Sequence, residues 1–466
     1  MHPLSIRQIC ELTGGSTAGH VNLSAIIDGC VIDSRDVQRG DAFFALEGTH
    51  CHGAEFATAA LRDGASVVIV DETAASRCHC DHVAVPDAEI ALAQIANRNR
   101  QLSDALIVAV TGSVGKTTTR EMIAAVLGSV HPGIQSPRNF NNQLGVPLSL
   151  LELQEGDEFG VIEIGASSRG ETTALASVAE PEFAVVTRIA PAHLKGFQSV
   201  QAVQHEKSQL VRALPDDGVA FLNADDPLVA AMASVAPCRV ITFGTSETAT
   251  VRVSEIDPGR QRLRLVVDGC EYTVPACGRH NATSAAAAIA VGREVGLDPA
   301  DIDAGLQKFR SQPGRCCVAE IGPWAVIDDT YNSSPASVTA AIRTVEEFRD
   351  CRHRILVLGD MLDLGEQAAD LHYSIGASLA ASQVHHIALI GEFADDVVEG
   401  FLASAGGVNR ISRFSDMTTL TTMLGCLLSD NDVVLVKGSR STAMERVVEH
   451  LRGLATDQPN GLRRAA

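Results

Sequence analysis

The feature that most constrains how this 466-residue chain folds is a glycine-containing turn that joins an apolar run directly to a helical pattern. The run at residues 105–110 predicts a strand, and residues 117–127 have the periodicity of a helix. The turn between them reads TGSVGKTT, from Thr111 to Thr118. Such a turn directs backbone N–H groups toward a phosphate at the N-terminus of the helix. The sequence therefore predicts a nucleotide-binding βα unit.

Individual residues of this turn have separate chemical roles. Gly112 and Gly115 let the backbone turn tightly and approach oxygen atoms, and Lys116 would neutralise the β and γ phosphates. A cation about 4 Å from a phosphate oxygen contributes roughly 4 kcal/mol at an intermediate dielectric, before desolvation. Thr117 would offer its hydroxyl to a magnesium ion. The general phosphate-loop pattern has glycine where this chain has Val110, and an ordinary glycine turn before a helix is the alternative interpretation.

The distribution of apolar runs indicates an α/β protein of three domains, in keeping with the chain length. We expect an N-terminal α/β domain over residues 1–104, a central doubly wound ATPase domain of P-loop type over residues 105–315, and a Rossmann-like C-terminal domain over residues 316–466. An alanine-rich helix at residues 282–295 is apolar nearly all round, which predicts burial. Turn formers after about Thr456 predict a frayed tail. Predicted strands of the last two domains are at residues 161–164, 184–186, 219–222, 324–327, 355–358, 386–390 and 433–436.

Composition and charge exclude several classes of protein. Hydrophobic residues make up 45% and charged residues 20%, so the chain is neither disordered nor fibrous. The net charge of -20 argues against a nucleic-acid partner. No window has the length and apolarity of a membrane span, and the N-terminus has no basic segment followed by an apolar stretch. We therefore expect a cytoplasmic protein without membrane insertion.

Twelve cysteines are scattered through the chain without a regular framework, as expected of reduced thiols. They are densest where Cys51 stands between two histidines and where Cys78, His79 and Cys80 follow one another. These spacings fit the common structural zinc patterns poorly. We interpret the cluster as a surface loop rather than as a metal site.

Three further polar residues could belong to a nucleotide site. Glu163 would lie at the carboxyl edge of the central sheet, where doubly wound folds present their ligand groups, and it is a candidate magnesium ligand. His193 and Lys207 carry less information alone, because a lone histidine near a turn is usually structural and a lone lysine is usually a solvated charge.

Longer strings of residues resemble the Mur ligases, ATP-dependent amide ligases of bacterial cell-wall synthesis, in all three predicted domains. Those of the third domain are most similar to family members that add D-alanyl-D-alanine to a UDP-linked tripeptide. Besides the phosphate loop, the strings are DSR at residues 33–35, GDAFFAL at 40–46, NFNNQLGVP at 139–147, EIGA at 163–166, AHL at 192–194, EKS at 206–208, GRHN at 278–281, DDTYNSSP at 328–335, LGDMLDLGE at 358–366 and VKGSRS at 436–441.

The resemblance implies a role for particular residues of this chain. It implies ATP contacts from Thr111, Gly112, Ser113, Val114, Gly115, Lys116, Thr117, Thr118, His280, Asn281, Arg315, Asp329, Tyr331 and Asn332. It implies that the N-terminal domain binds the UDP-sugar and that the C-terminal domain binds the incoming dipeptide. The implied UDP-sugar contacts are Ser34, Arg35, Asn139 and Asn142, and the implied dipeptide contacts are Ser439 and Arg440. The implied magnesium ligands are Thr117, Glu163 and His193, and the implied catalytic residues are Lys116, Glu163, His193 and Lys207. Lys207 aligns with a lysine that is carbamylated in several Mur ligases.

The resemblance also implies a reaction. An ATP site with magnesium ligands can activate a carboxylate as an acyl phosphate, which an amine then attacks. The implied substrates are UDP-N-acetylmuramoyl-tripeptide and D-alanyl-D-alanine, with ATP and Mg²⁺ as cofactors, in a cytoplasmic protein that acts as a monomer. A sister Mur ligase that adds a single amino acid is the alternative within the family.

Two alternatives lie outside the family. A nucleotide-binding scaffold without activity would be expected to have lost Lys116, Thr117 or Glu163, and all three are present. A P-loop kinase or ATPase would not account for the first and third domains.

Overall fold

The computed structural model describes residues 1–457, which form three α/β domains and confirm the predicted fold class. The domain boundaries near residues 104 and 315 remain predictions. The tail that we expect to fray lies outside the described residues, except that Thr456 still belongs to the last helix. Within residues 1–457, no helix is both long enough and apolar enough to cross a membrane.

The N-terminal domain is a five-stranded sheet with helices on both faces. Its elements are β1 (Leu4–Ser5), α1 (Ile6–Thr13), β2 (Ser16–Ala18), β3 (Ile26–Ile27), β4 (Gly29–Val31), β5 (Asp41–Ala45), α2 (Ala57–Asp63), β6 (Val67–Asp71), β7 (His82–Val85) and α3 (Ala88–Gln101). The sheet order is β2-β7-β6-β5-β4, with only β2 antiparallel, and β1 pairs with β3 separately. The apolar strands β5 and β6 are buried on both faces, as parallel strands beneath helices are.

Part of the cysteine- and histidine-rich cluster belongs to the core of this domain, so its interpretation as a surface loop is wrong for two residues. Cys78 is buried in the hydrophobic cluster that contains Val68. His52 is also buried, and its Nδ1 accepts a hydrogen bond from the Ala54 N–H at 3.1 Å. This bond caps a short 3-10 turn, while Cys51 is exposed as expected.

The central domain is a nine-stranded sheet covered by helices. Its strands are β8 (Leu106–Thr111), β9 (Gly133–Gln135), β10 (Phe159–Glu163), β11 (Phe183–Val186), β12 (Val219–Asn223), β13 (Arg239–Gly244), β14 (Val251–Pro258), β15 (Leu263–Val267) and β16 (Cys270–Val274). Its helices are α4 (Lys116–Leu127), α5 (Gly145–Leu151), α6 (Glu171–Ala179), α7 (Leu194–Phe197), α8 (Val200–Arg212), α9 (Pro227–Ala230), α10 (Asn281–Glu294) and α11 (Pro299–Lys308).

The strand order of the central sheet places the predicted phosphate loop at a topological switch point. The order is β16-β15-β14-β13-β12-β11-β8-β10-β9, and β8 lies between β10 and β11 with all three strands parallel. The chain leaves β8 at its carboxyl end and enters α4 after four residues. Open α/β sheets bind their ligands at this position, where successive connections go to opposite sides.

Two features of the central domain were tested by the structure. The predicted buried helix is α10, which packs against α4 and α11. The antiparallel strands β15 and β16, which extend the sheet beyond β14, were not predicted. In β14, buried and exposed residues alternate along VRVS, which is the signature of a strand with one solvated face.

The C-terminal domain is a six-stranded Rossmann-like sheet. Its elements are β17 (Cys317–Ile321), β18 (Trp324–Asp329), α12 (Pro335–Glu347), β19 (Arg354–Leu358), α13 (Ala368–Ala380), β20 (His386–Ile390), α14 (Ala394–Ala403), β21 (Ile411–Phe414), α15 (Met417–Leu427), β22 (Val433–Lys437) and α16 (Glu445–Asp457). The order is β17-β18-β22-β19-β20-β21, and only β17 is antiparallel. In register, Asp329 at the end of β18 lies beside Lys437 at the end of β22.

The central and C-terminal domains contact each other at two places. Arg279 Nε of the central domain donates a hydrogen bond to Glu347 Oε1 at the end of α12 at 2.9 Å. At the second place, the Lys195 N–H donates to the Asp363 carbonyl at 3.3 Å. The two domains therefore enclose the space above the phosphate loop.

Candidate active site

A cavity of about 980 Å³ lies between the central and C-terminal domains. One wall is the phosphate loop with the carboxyl ends of the central strands, and the opposite wall comes from the C-terminal domain. The lining includes residues 113–119, 139, 141–143, 163, 165–167, 187, 188, 192, 193, 279–281, 315, 329, 331–334 and 362–364. This volume is in the range of pockets that bind a nucleotide-sized ligand.

The phosphate loop is held in place by two close backbone approaches. Gly112 has a φ of +149°, and a Cβ at this position would lie 2.0 Å from Thr187 Oγ1. The Ser113 N–H donates to the Arg188 carbonyl at 2.6 Å, and Thr187 Oγ1 donates to the Val114 carbonyl at 2.6 Å. Only glycine meets both the conformational and the spatial requirement at residue 112.

Lys116 is the first residue of α4 and folds back over the loop. Its Nζ donates a hydrogen bond to the Gly112 carbonyl at 2.9 Å. Burial lowers the pKa of Lys116, the nearby Glu163 carboxylate opposes that shift, and Arg315 adds to it. A lysine in this position offers its charge to an anion above the loop.

Glu163 ends β10 beside β8 and is 1% exposed. Its Oε1 accepts a hydrogen bond from Asn141 Nδ2 at 2.8 Å, while its Oε2 is buried without a hydrogen-bond partner. A buried carboxylate oxygen with no donor is a coordination site that a hard cation can use. Thr117 lies on the same wall of the cavity.

The cation-binding capacity of this wall depends on a bound phosphate. Among residues 1–457, no three histidine, cysteine, aspartate or glutamate side chains gather closely enough to hold a metal ion alone. Magnesium sites in nucleotide-binding proteins use one or two side chains together with phosphate oxygens and waters. Thr117 and Glu163 fit a site of that kind.

His193 and Lys207 are the other two residues that the sequence implies to be catalytic. His193 has a φ of +52° and lines the cavity, and its Nδ1 lies 4.0 Å from Asp363 Oδ2 of the C-terminal domain. Burial, Lys116 and Lys207 lower the pKa of His193, which favours the neutral ring that a metal requires. Lys207 is 2% exposed in α8, and burial together with Lys116 lowers its pKa to about 7.

Aromatic and polar groups form the other end of the cavity. The Arg315 guanidinium stacks on the Tyr331 ring at 3.9 Å from the centroid, and Arg315 Nη2 lies 3.5 Å from Thr117 Oγ1. Asp329 Oδ2 accepts a hydrogen bond from Lys437 Nζ at 2.6 Å. His280, Asn281 and Asn332 also line this end, and burial lowers the pKa of His280.

The structure does not bring every predicted site residue into the cavity. Asn139 and Asn142 line it, but Ser34 and Arg35 lie in the N-terminal domain after β4, where Arg35 is exposed and paired with Asp33. Ser439 is buried, and its Oγ accepts a hydrogen bond from the Leu362 N–H at 2.9 Å. Arg440 is exposed beyond it. Their roles with the UDP-sugar and the dipeptide stay predictions.

Other residues of the site were missed from the sequence. Thr187 and Asp363 face the cavity, and Arg120 is buried beside Glu163. Lys437 also lines the cavity and lies at the carboxyl end of a strand, as Glu163 does, so the carboxyl-edge argument could have identified it. Arg120 gives no such signal, because an arginine in a helix usually lies on a solvated face.

A phosphate loop at the switch point of a doubly wound sheet, facing a second α/β domain across one cavity, defines the class of multidomain P-loop nucleotide-binding proteins. Comparison with known families gives three consecutive matches. The Mur ligase family catalytic domain matches residues 26–107, the Mur ligase middle domain matches residues 110–292, and the Mur ligase glutamate ligase domain matches residues 314–440.

Individual relatives match over nearly the whole chain. UDP-N-acetylmuramoyl-tripeptide--D-alanyl-D-alanine ligase of Bacillus subtilis (strain 168) is 30% identical, over 96% of this chain and 98% of the relative. The crystal structure of MurF from Acinetobacter baumannii has a TM-score of 0.88 at 28% identity, covering 97% of this chain and 99% of that one. MurF ligase from Thermotoga maritima in complex with ADP has a TM-score of 0.79 at 26% identity, covering 92% and 98%. The chain belongs to the Mur ligase family.

Proposed function

We propose that this protein is an ATP-dependent ligase that adds D-alanyl-D-alanine to UDP-N-acetylmuramoyl-tripeptide in peptidoglycan precursor synthesis. The observation that carries the proposal is the similarity over nearly the whole chain to relatives named for this reaction. The ADP complex of a structural neighbour supports ATP as the nucleotide. A cavity with a phosphate loop on one wall and a second domain on the other suits a reaction that joins two substrates over a nucleotide.

The reaction needs activation of a carboxylate. A carboxylate oxygen of the tripeptide attacks the γ-phosphorus of ATP, and the bond from that phosphorus to the bridging oxygen breaks, which gives ADP and an acyl phosphate. The amino group of the dipeptide then attacks the acyl carbon, loses a proton and expels inorganic phosphate. No covalent bond to the protein forms, so the protein acts by positioning the substrates and neutralising charge.

The phosphate loop supplies much of that neutralisation. Backbone N–H groups of the loop and the Lys116 ammonium would bind the phosphates of ATP. Thr117, Glu163 and His193 would hold Mg²⁺ together with phosphate oxygens, and the unpaired Glu163 Oε2 supports this assignment. When bound, Mg²⁺ would polarise the γ-phosphoryl group and offset the charge of the leaving ADP.

Two finer parts of the account are proposals as well. Action as a monomer is implied by the resemblance and remains a prediction. A cytoplasmic location is implied by the resemblance to enzymes of precursor synthesis and remains a prediction.

Acceptor specificity separates this proposal from the single-residue ligases of the family. The full chain is incubated with ATP, Mg²⁺ and UDP-N-acetylmuramoyl-tripeptide, and with either D-alanyl-D-alanine or single amino acids, and the products are identified by mass. We expect the pentapeptide product with the dipeptide alone. A product with one added amino acid, and none with the dipeptide, would replace the proposal by a sister ligase.

A further inference from the structure

Arg120 is the largest fully buried side chain of the described residues, and its position near the site is unexplained by the mechanism above. It lies in the second turn of α4, four residues after Lys116, and is 0% exposed. It does not line the cavity, so it contacts no substrate there. Burying a guanidinium completely is costly unless its charge and its donors are matched by partners.

The partners of Arg120 come from three different parts of the site. Its Nη1 donates a hydrogen bond to the Arg138 carbonyl at 2.7 Å and lies 3.6 Å from Glu163 Oε2. Its Nη2 forms an ion pair with Glu121 Oε1. One planar guanidinium therefore contacts a backbone carbonyl and two carboxylates at once.

Each partner is attached to a functional segment. Arg138 has a φ of +48° and leads directly into the segment of Asn139, Asn141 and Asn142, which line the cavity. Asn141 of that segment donates to Glu163 Oε1, so Glu163 is held from both sides. Glu121 Oε1 also accepts the hydrogen bond from Gln312, which precedes the C-terminal domain.

We propose that Arg120 is a positioning residue that fixes Glu163 and the 138–142 segment as one unit, and so presents Glu163 Oε2 to the divalent cation that ATP brings. The proposal rests on the proposed function, because it uses the assignment of Glu163 as a metal ligand. At 3.6 Å from Oε2, the guanidinium attracts this oxygen electrostatically without donating a hydrogen bond to it. The oxygen keeps its lone pairs for a cation while its position is restrained.

An Arg120 that only balanced buried charge would be as buried as one that orients Glu163. Burial therefore does not separate these two roles, but a substitution does. A lysine at this position keeps the positive charge but cannot reach all three acceptors, since an ammonium lacks the planar fork. If Arg120 only balances buried charge, Arg120→Lys changes stability and leaves metal affinity unchanged. If Arg120 orients Glu163, Arg120→Lys weakens cation binding in the folded protein.

The test uses Mn²⁺ as the probe on the full chain with bound ADP. Mn²⁺ affinity is followed by electron paramagnetic resonance, ADP affinity without metal by calorimetry, and folding by circular dichroism. Removing an outer partner of a metal ligand typically costs about 10- to 100-fold in affinity, and we expect that loss for Arg120→Lys. ADP affinity without metal should change by less than about 2-fold, because the phosphate loop is untouched.

Two further variants keep the outcome decisive. Arg212→Lys alters an exposed helical arginine and should leave Mn²⁺ affinity unchanged. Asn141→Ala removes the other support of Glu163 while the Arg120–Glu163 ion pair is kept, and should also weaken Mn²⁺ binding, even if Arg120→Lys fails to fold. Unchanged Mn²⁺ affinity in both Asn141→Ala and folded Arg120→Lys, or in Asn141→Ala alone if Arg120→Lys does not fold, would overturn the proposal. The measurement needs no acceptor, so it stands even if the ligase adds something other than the dipeptide.

Discussion

At the scale of single residues, Lys207 has an environment unlike that of an ordinary lysine. It is 2% exposed, and burial is the main reason why its pKa falls to about 7. Lys116 lowers the pKa further, while Glu206, Glu163 and Glu171 oppose the shift. A lysine with this pKa is partly neutral near pH 7, and only the neutral amine reacts with carbon dioxide to form a carbamate and release a proton.

The first prediction concerns that carbamate. After incubation with ¹³C-labelled bicarbonate, the protein should show a carbamate carbon signal by NMR that grows between about pH 6 and pH 8. The sign follows from the lowered pKa, since the fraction of neutral amine rises as pH passes upward through about 7. Lys207→Arg cannot form the adduct and should lack the signal. A wild-type spectrum without it at about pH 8 would contradict the prediction.

Gly112 gives the second prediction. Gly112→Ala would place a Cβ 2.0 Å from Thr187 Oγ1 at a φ of +149°, so the loop must move. We expect ADP affinity, measured by calorimetry, to fall by about tenfold or more, since displacing the loop by even 1 Å misplaces its N–H donors. Gly156 also has a positive φ but open space around it, so Gly156→Ala should add backbone strain of about 1 kcal/mol without changing ADP affinity. Equal affinities for Gly112→Ala and wild type would refute the loop's role.

The sequence identifies residues that line the cavity where they are contiguous in the chain or end an apolar run. The phosphate loop is one uninterrupted turn, and Glu163 lies at the end of an apolar run at the same edge of the sheet. Arg120 and Thr187 escape such reasoning because their importance depends on burial and on contacts across the fold. A charged residue in a helix and a threonine after a strand have no distinctive pattern before the fold is known.

At the scale of elements, helix packing around α4 depends on glycines that allow close approach. A Cβ on Gly305 of α11 would lie 2.5 Å from Val126 Cα of α4. Gly305→Ala should therefore destabilise the protein by about 1–3 kcal/mol through overpacking, measured by urea unfolding.

A matched helical glycine separates packing from helix propensity. Gly453 lies in α16 with open space around it, so Gly453→Ala should stabilise the protein by up to about 1 kcal/mol. Destabilisation by both substitutions would show that backbone conformation, rather than packing against α4, sets the cost.

Elements with a continuous apolar run were predicted within one residue of their bounds, as β20 and α10 illustrate. The strands β15 and β17 were missed, because each is an antiparallel strand of five residues whose partner lies next to it in the chain. The alternation of strands and helices that indicates an α/β fold does not predict antiparallel strands such as β15 and β17. Their apolar and polar residues fit a strand only once the neighbouring strand is known.

At the scale of the whole molecule, the domains and their order follow from the sequence, but their mutual arrangement does not. The cavity depends on contacts between residues that are far apart in the chain, such as Lys195 with Asp363 and Arg279 with Glu347. Each pair has opposite charges, but the first contact joins backbone atoms, and the chain has 37 basic and 57 acidic residues, so a charge pattern does not single out either pair. The central claim at this scale is that the cavity joins the tripeptide and the dipeptide over a nucleotide bound at the phosphate loop.

That claim is tested most directly by phosphate release from ATP and Mg²⁺ in the presence of each substrate alone and of both together. We expect release to require UDP-N-acetylmuramoyl-tripeptide and D-alanyl-D-alanine, and to fall about a thousandfold in Lys116→Ala, as a loss of roughly 4 kcal/mol implies. Lys308→Ala, at an exposed lysine at the end of α11, should keep wild-type release. Release that ignores the dipeptide, or that survives the loss of Lys116, would contradict the account.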